Sequence, residues 1–270
     1  MVDRGLSLEI FRCAAERGEA YWWKMIDLTR LTPKALSSEP YRWAFIDRLF
    51  SPPDGEALVA SFPRDHFKTV TGYDGEKGYE YEARSLIPMG ADAPSRAECL
   101  SLVWRRLAEE LLSSAYRAAM SRLTGLELAE LPMEANVFHY SRSAWLGPHV
   151  DLEDKVVTHV FYFNDVWDVS DGGCLNILRS ADMAQAVKIV PPLVGNSAVL
   201  VRSDKSWHAV SRVRAKCRTS RRSMTITFYR PGSKSTLWPA DDTTPLHNYK
   251  GEQSALGRWV RQRWRGRFAR

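Results

Sequence analysis

A histidine and an aspartate stand two residues apart at the end of Trp145-Leu-Gly-Pro-His149-Val-Asp151. The Gly-Pro extends the backbone just before them, and in an extended chain the side chains at i and i+2 point to the same side. An imidazole and a carboxylate held that way can grip one metal ion together. The triplet alone is weak, because chance supplies such spacings freely and most lone histidines are ordinary surface or half-buried residues. It gains weight from a third candidate ligand, His208, 57 residues past Asp151. That separation leaves room for several strands and a return to the same place.

Two histidines and one carboxylate on one side of an ion leave its opposite side open, the ligand pattern of non-heme Fe(II) oxygenases. Zinc hydrolases use similar ligands, usually with a glutamate base close by. Only Glu153 is near, and it would share the ligands' strand face with no evident reason to act as a base. The run Ser220-Arg-Arg-Ser-Met-Thr-Ile-Thr-Phe-Tyr229 supports the set. On a strand, Arg221, Ser223, Thr225 and Thr227 share one face, while Met224, Ile226 and Phe228 take the other. A polar face headed by arginine is costly inside a protein unless it meets an anion. A guanidinium fork beside a hydroxyl suits a carboxylate. Tyr162 shares a strand face with Thr158 and Val160 and offers a second donor. His139 and His159 read as structural, and His66 and His247 fall in loop-like segments.

These residues sit in a stretch built of short strands. From residue 133 onward the candidates are Glu134–Tyr140, Val156–Asn164, Cys174–Leu178, Lys188–Val190, Ser197–Arg202, Ala209–Val213 and Ser223–Arg230. Short strands bounded by Gly and Pro indicate a sandwich or barrel. The chain before them has a different texture. Residues 6–30 read as one or two helices, and Tyr41–Ile46 as a short strand. Ser51-Pro-Pro-Asp caps a helix over Gly55–Phe62. Residues 64–83 carry Asp-Gly and Lys-Gly turn signals that suit a hairpin or a surface loop. A long helix is expected over 95–123, with Leu100, Val103, Trp104, Leu107, Leu111, Leu112 and Ala115 on one face. The expectation is an α+β fold in one domain, 1–270. It has a mainly helical part over 1–130 packed on the outside of a β core over 134–230, and a basic tail over 231–270.

Composition narrows the class. The chain is 44% hydrophobic and 26% charged, ordinary for a globular protein, and no run reaches the roughly 18 apolar residues of a membrane span. The N-terminus lacks an apolar signal core, which points to a cytoplasmic protein with no membrane association. Cysteines 13, 99, 174 and 217 have no close pairing, so neither a zinc knuckle nor a redox dithiol is indicated. The net charge of +6 is concentrated in 202–222 and 258–270. Those runs could meet nucleic acid, but a solvated loop and tail explain them as well.

Taken together, the segments Tyr140 to Asp151, Thr158–Asn164 with Trp167 and Asp171-Gly-Gly-Cys-Leu175, Pro191–Val201, Trp207-His208-Ala-Val210 and Arg221-Arg-Ser223-Met-Thr225 resemble the 2-oxoglutarate- and Fe(II)-dependent dioxygenases. Within these they are most similar to the prolyl-4-hydroxylase-like branch. The likeness covers about 134–230 in the correct order, while Phe45–Pro52 resembles the usual entry strand and helix only loosely. It implies a double-stranded β-helix of the jelly-roll or cupin kind. It implies iron held by His149, Asp151 and His208, with 2-oxoglutarate as cosubstrate and O2 as oxidant, ascorbate being an optional aid. The distal carboxylate of the cosubstrate would fall to Arg221, with Tyr162 and also Tyr140, Ser223 or Thr225 assisting. The family's basic residue usually lies about ten positions past the distal histidine, which would select Arg218. Arg221, 13 positions on, is preferred because it heads the Arg-x-Ser-x-Thr strand. Halogenating relatives have a small residue where Asp151 stands, so hydroxylation is favoured over halogenation.

The expected reaction is hydroxylation of an unactivated C–H bond in a small molecule, such as an amino acid or biosynthetic intermediate, with release of succinate and CO2. Arg64, Lys68, Lys77, Arg84 and Arg142 would suit an anionic substrate. The rival readings are an oxygenase acting on a protein residue or on nucleic acid, the latter disfavoured, and a binding protein with a vestigial metal site. The oligomeric state has no sequence signal.

Overall fold

The computed structural model describes residues 24–74 and 77–249. Of the helical stretch expected over 6–30, residues 6–23 lie outside them, as does the tail beyond 249. Residues 24–30 are not α-helical but hold a bridge from Ile26 to Phe50 and a 3-10 turn over Leu28–Arg30, because Ile26 pairs with that later segment instead of with its own helix. Three helices are found among the described residues: α1 (Pro52–Ala60), α2 (Leu102–Leu112) and α3 (Ser114–Thr124). Ser51 caps α1 by accepting from the Asp54 amide, with Pro52 and Pro53 filling the first-turn positions that need no amide donor.

The single helix expected over 95–123 is instead two. Residues 97–99 form only a 3-10 turn after Arg96, whose φ is 52°, and Leu100 is extended. Ser113 then ends α2 and begins α3. Its backbone is extended, with φ −68° and ψ 149°, and its hydroxyl accepts from the Tyr116 amide. A serine that bonds the backbone two or three residues on competes with the helical bond it would otherwise make. The break also resets the buried face. Helix α2 buries Trp104, Leu107, Ala108 and Leu111, whereas α3 buries Tyr116, Ala119, Met120 and Leu123 and leaves Ala115 exposed.

Twelve strands are described: β1 (Leu36–Ser37), β2 (Trp43–Ile46), β3 (Lys68–Asp74), β4 (Lys77–Ile87), β5 (Met133–Tyr140), β6 (Trp145–His149), β7 (Lys155–Tyr162), β8 (Leu175–Leu178), β9 (Ala186–Val190), β10 (Ser197–Val201), β11 (His208–Val210) and β12 (Arg221–Tyr229). They form one antiparallel sheet in the order β1-β2-β10-β7-β12-β5-β4-β6-β11-β8-β9, with β3 paired to β4. The part before residue 130, expected to be mainly helical, thus supplies four strands as well. The 64–83 region is a hairpin, with Lys68 opposite Ala83 and Asp74 opposite Lys77. The sheet is curled into a half-barrel. Asp151, at the end of β6, bonds to Thr158 of β7, although three strands separate β6 from β7 in the sheet order.

Alternation sorts each central strand between two environments. On β5, β7 and β12 one face carries Met133, Ala135, Val137, Val157, Phe161, Met224, Ile226 and Phe228, in the same core as Trp104, Leu107 and Tyr116. The other face, with Glu134, Asn136, Thr158, Val160, Ser223, Thr225 and Thr227, lines a cavity.

Two buried histidines tie the apolar side together. The Nδ1 atom of His159 lies 3.0 Å from the Tyr116 hydroxyl of α3, and its Nε2 lies 3.1 Å from Ser197 Oγ of β10. His139 meets Ser220 Oγ at 2.8 Å and stacks on the Tyr249 ring, with centroids 3.7 Å apart. Burial pushes both histidines down to about 3. Between that value and the ordinary 6.5, only the unfolded chain takes up their protons. The stability they contribute is therefore complete above pH 6.5 and is lost as pH falls toward 3. The loss should be about 2 kcal/mol for each histidine at pH 5. Thermal unfolding followed from pH 7 to pH 5 should show a falling Tm with uptake of about two protons, and His159→Asn should remove one of them.

Candidate active site

The register of the sheet sets the centre of the site. His208 of β11 lies directly opposite His149 of β6, and their rings sit 4.2 Å apart between centroids at 52°. Each ring is fixed in the same way. His149 Nδ1 donates to the carbonyl of Gly147 and His208 Nδ1 to that of Ser206, both at 2.9 Å. A carbonyl can only accept, so Nδ1 carries the hydrogen and Nε2 is the nitrogen that can bind a metal.

Asp151 completes the group from just beyond the end of β6, in irregular backbone rather than on the strand itself. Ligand atoms of His149, Asp151 and His208 lie within 4.8 Å of one another, and all three residues are buried. Lys155 Nζ holds one carboxylate oxygen at 2.6 Å, and Thr158 Oγ1 donates to the other at 3.2 Å. Burial by itself would raise the Asp151 pKa, but Lys155, His208 and His149 outweigh it and hold the carboxyl well below the usual range. The side chain is thus an anion, as a metal ligand must be.

Arg221, only 2% exposed, points into the same cavity from the start of β12. Its Nη1 donates to Ser223 Oγ at 2.6 Å. Its guanidinium carbon lies 4.7 Å from the Tyr140 ring centroid and 5.3 Å from that of Tyr162. No carboxylate of the described residues pairs with it, and its Nε has no hydrogen-bond partner. Tyr140, Ser223 and Thr225 line the cavity with it. Tyr162 is fully buried behind the cavity wall. Its phenol feels the Arg221 charge but makes no hydrogen bond of good geometry, and burial raises its pKa. Arg218, by contrast, is exposed in the loop before β12.

The Asp171-Gly172-Gly173-Cys174 turn lets these parts approach. Gly173 has φ +67°, and a Cβ there would meet the Trp167 ring at 2.8 Å and Val213 at 3.1 Å, with Arg221 Cβ next at 3.6 Å.

The cavity measures about 320 Å³. Its outer wall includes Val70, Tyr79 and Tyr81 of the β3–β4 hairpin and Thr236 and Leu237 of the segment after β12. That segment, 231–249, is strapped down by Trp238 Nε1 to Asn136 Oδ1 at 2.7 Å, by Lys68 to Asp242 and the Leu237 carbonyl, and by an antiparallel bridge between Phe67 and His247. Residues 231–249 carry no periodic signal in the sequence, because their anchors are single side chains.

The basic residues proposed for an anionic substrate are elsewhere. Lys68 is spent on the strap, Arg84 bonds Asp65 and the Ser85 carbonyl, Arg142 bonds the Cys217 carbonyl, and Arg64 is exposed. None of these four lines the cavity, and the side chain of Lys77 lies outside those described. A second group, Asp65, His66 and Cys99, also brings possible ligand atoms within 4.8 Å. Asp65 there is already engaged by Arg84 at 3.1 Å.

The class so defined is a curled antiparallel sheet that encloses a metal-competent pocket with a buried arginine at one end. Residues 135–229 match the model of the 2OG-Fe(II) oxygenase superfamily. Its enzymes are oxidoreductases that use Fe(II), 2-oxoglutarate and O2. Among solved structures the chain is similar to a Pseudomonas putida prolyl-4-hydroxylase, with 21% identity, 70% of this chain and 92% of that one covered, and a TM-score of 0.49. It is also similar to a prolyl hydroxylase of Trichoplax adhaerens in complex with a hypoxia inducible factor peptide fragment, at 16% identity, 84% and 94% coverage and a TM-score of 0.46. A third is the α-ketoglutarate-dependent epimerase SnoN from nogalamycin biosynthesis, at 15% identity, 84% and 96% coverage and a TM-score of 0.46. No curated protein sequence matches the chain. No helix among the described residues is long and apolar enough to cross a membrane.

Glycine geometry yields a test of how tightly the arginine end is built. Gly173→Ala should cost several kcal/mol, because left-handed backbone and a ring clash add together. Gly232→Ala, at φ +83° with nothing within 4 Å, should cost only about 1 kcal/mol. Denaturant unfolding of the two variants measures the difference.

Proposed function

We propose that the chain is a 2-oxoglutarate-dependent hydroxylase of the prolyl-4-hydroxylase-like branch, built on a double-stranded β-helix and acting on a small molecule. The observation that carries this reading is one cavity holding both a buried two-histidine, one-carboxylate group and a buried arginine without a carboxylate partner. Both features fit the family's groups. The nitrogen and oxygen donors suit a facial Fe(II) site, and a buried guanidinium without an anion is costly until one arrives.

In this reading His149, Asp151 and His208 bind the iron. Arg221 receives the distal carboxylate of 2-oxoglutarate, while Ser223 orients the guanidinium and Tyr140 and Tyr162 pack against it. Thr225 adds a hydroxyl to the same wall. When bound, iron and 2-oxoglutarate supply the oxidising power: O2 is consumed, succinate and CO2 are released, and a C–H bond becomes C–OH. The protein's own contributions are positioning and exclusion. The Gly147 and Ser206 carbonyls fix the imidazole tautomers, and Thr158 and Lys155 orient the Asp151 carboxylate. The hairpin and the 231–249 strap narrow the entrance and limit water around the reacting atoms.

A small substrate is favoured by the cavity itself. About 320 Å³ lies at the low end of small-ligand sites, and the hairpin and strap form part of its wall. Nucleic acid is disfavoured because the lining contains only two cations, Lys155 and Arg221, and Lys155 is bound to Asp151.

His149→Ala and Asp151→Ala should each abolish Fe(II)-dependent consumption of 2-oxoglutarate while near-native thermal unfolding is kept. Wild-type turnover in either variant would refute the assignment. Arg221→Ala should raise the KM for 2-oxoglutarate by about 100-fold, as expected for loss of a charge-assisted bidentate contact, whereas Arg218→Ala should leave it unchanged. The reverse pattern would move the anchor to Arg218.

A further inference from the structure

The cavity contains a second buried anion that the iron and cosubstrate reading does not use. Glu134, on β5, is 2% exposed and lines the cavity. Its Oε2 accepts from the Tyr229 hydroxyl at 3.2 Å and its Oε1 from Ser235 Oγ at 2.5 Å. Both donors are neutral, and no lysine, arginine or histidine of the described residues forms an ion pair with it. The other three charged groups of the lining are accounted for: Asp151 meets Lys155, and Arg221 is suited to the cosubstrate. A carboxylate taken out of water is strongly unfavourable unless a cation and hydrogen bonds replace the lost hydration. Hydroxyls provide only part of that.

The position of Glu134 matters as much as its charge. In the register of the sheet, Thr227 lies opposite Glu134 on one side and opposite Thr158 on the other. Thr158 in turn bonds Asp151. Glu134 therefore shares a row with Thr158, two strands or about 10 Å away, and Thr158 is the residue that holds Asp151. Arg221, on the same face of β12, is six residues from Thr227, toward the opposite end of the strand. A molecule in the cavity near Asp151 can reach Glu134 without displacing anything at the Arg221 end.

We infer that Glu134 is the substrate-recognition residue of this site, and that it selects a substrate carrying a basic group, a primary ammonium or a guanidinium. This rests on the oxygenase reading above and reverses the expectation of an anionic substrate. Tyr229 and Ser235 hold the carboxylate in place, and the incoming cation completes its hydrogen bonding. Asn136, two residues along on the same face and fixed by Trp238, lies beside it as a neutral polar neighbour.

The alternative role for Glu134 is purely structural, latching the 231–249 strap through Ser235. Glu134→Gln separates the two, because it keeps shape and one acceptor oxygen, presents an NH2 that a rotated hydroxyl can accept from, and removes charge. The full chain loaded with Mn(II) is first titrated with 2-oxoglutarate. Absence of that binding would defeat the oxygenase reading itself. The loaded protein is then titrated with L-arginine, L-lysine, agmatine and glucosamine, and with neutral counterparts, L-citrulline, Nε-acetyl-L-lysine and N-acetylglucosamine. At least one cationic compound should bind 10-fold or more tightly than its neutral partner. Glu134→Gln should erase that gap while leaving the affinity for 2-oxoglutarate and the Tm of the unliganded protein at or above wild type. With 2-oxoglutarate bound, the proposal fails if no cationic compound binds, if neutral compounds bind as well as cationic ones, or if the gap survives in Glu134→Gln. A fall in Tm without a change in the gap assigns Glu134 to the latch alone.

Discussion

The arrangement of this protein depends on keeping one carboxylate ionised inside a curled sheet. Asp151 is buried, and burial favours the protonated form. It stays an anion because Lys155, His208 and His149 surround it, and each is delivered by a different piece of backbone. The imidazoles come from a directly opposed pair on β6 and β11, the ammonium from the start of β7, and the supporting hydroxyl of Thr158 from farther along β7. Without the curl, three strands would separate β7 from β6, and β7 could not reach the carboxylate.

The apolar side of the sheet makes that curl possible. Helices α2 and α3 share one core with the outward residues of β5, β7 and β12. A buried contact between Tyr116 and His159 joins α3 to the centre of the sheet. The inward residues of the same strands are then committed to a polar wall by the strict alternation of the pleat. The wall runs from Arg221 past Ser223 and Thr225 to Thr227, with Glu134 and Thr158 flanking its far end. One end of the cavity is therefore cationic, and the other holds carboxylates. In the proposed reading, that polarity orients a dicarboxylate cosubstrate at one end and leaves an anionic recognition surface at the other.

Much of the sheet was legible from residue patterns. Candidate strands over 134–140, 156–164, 174–178, 197–202 and 223–230 all correspond to observed strands within a residue or two, because β-branched and aromatic alternation bounded by Gly and Pro is a local signal. The family match over 135–229 covers the same stretch. The helical region was less legible. An unbroken apolar period hid the break at Ser113, since a capping serine within a helix-forming run differs only in a local hydrogen bond. The edges of the site were not legible at all. Arg64, Lys68, Arg84 and Arg142 were basic residues near the right loops, yet their side chains turn to Asp242, Asp65, backbone carbonyls or solvent.

The sequence by itself determined the chemical inventory: two histidines and a carboxylate in a β-rich stretch, an arginine heading a hydroxyl-bearing strand, and a Gly-Gly pair between two of the strands. These are properties of residue type and short-range spacing, which survive without knowledge of the fold. Only the tertiary structure decided which charges face one another. It set His208 opposite His149, left Arg218 in solvent and Arg221 in the cavity, and placed Glu134 in the row of Thr158 with two hydroxyls as its hydrogen-bond donors. The physical reason is that a charge acts over several ångströms and through burial, and both are fixed by strand register and sheet curvature rather than by distance along the chain.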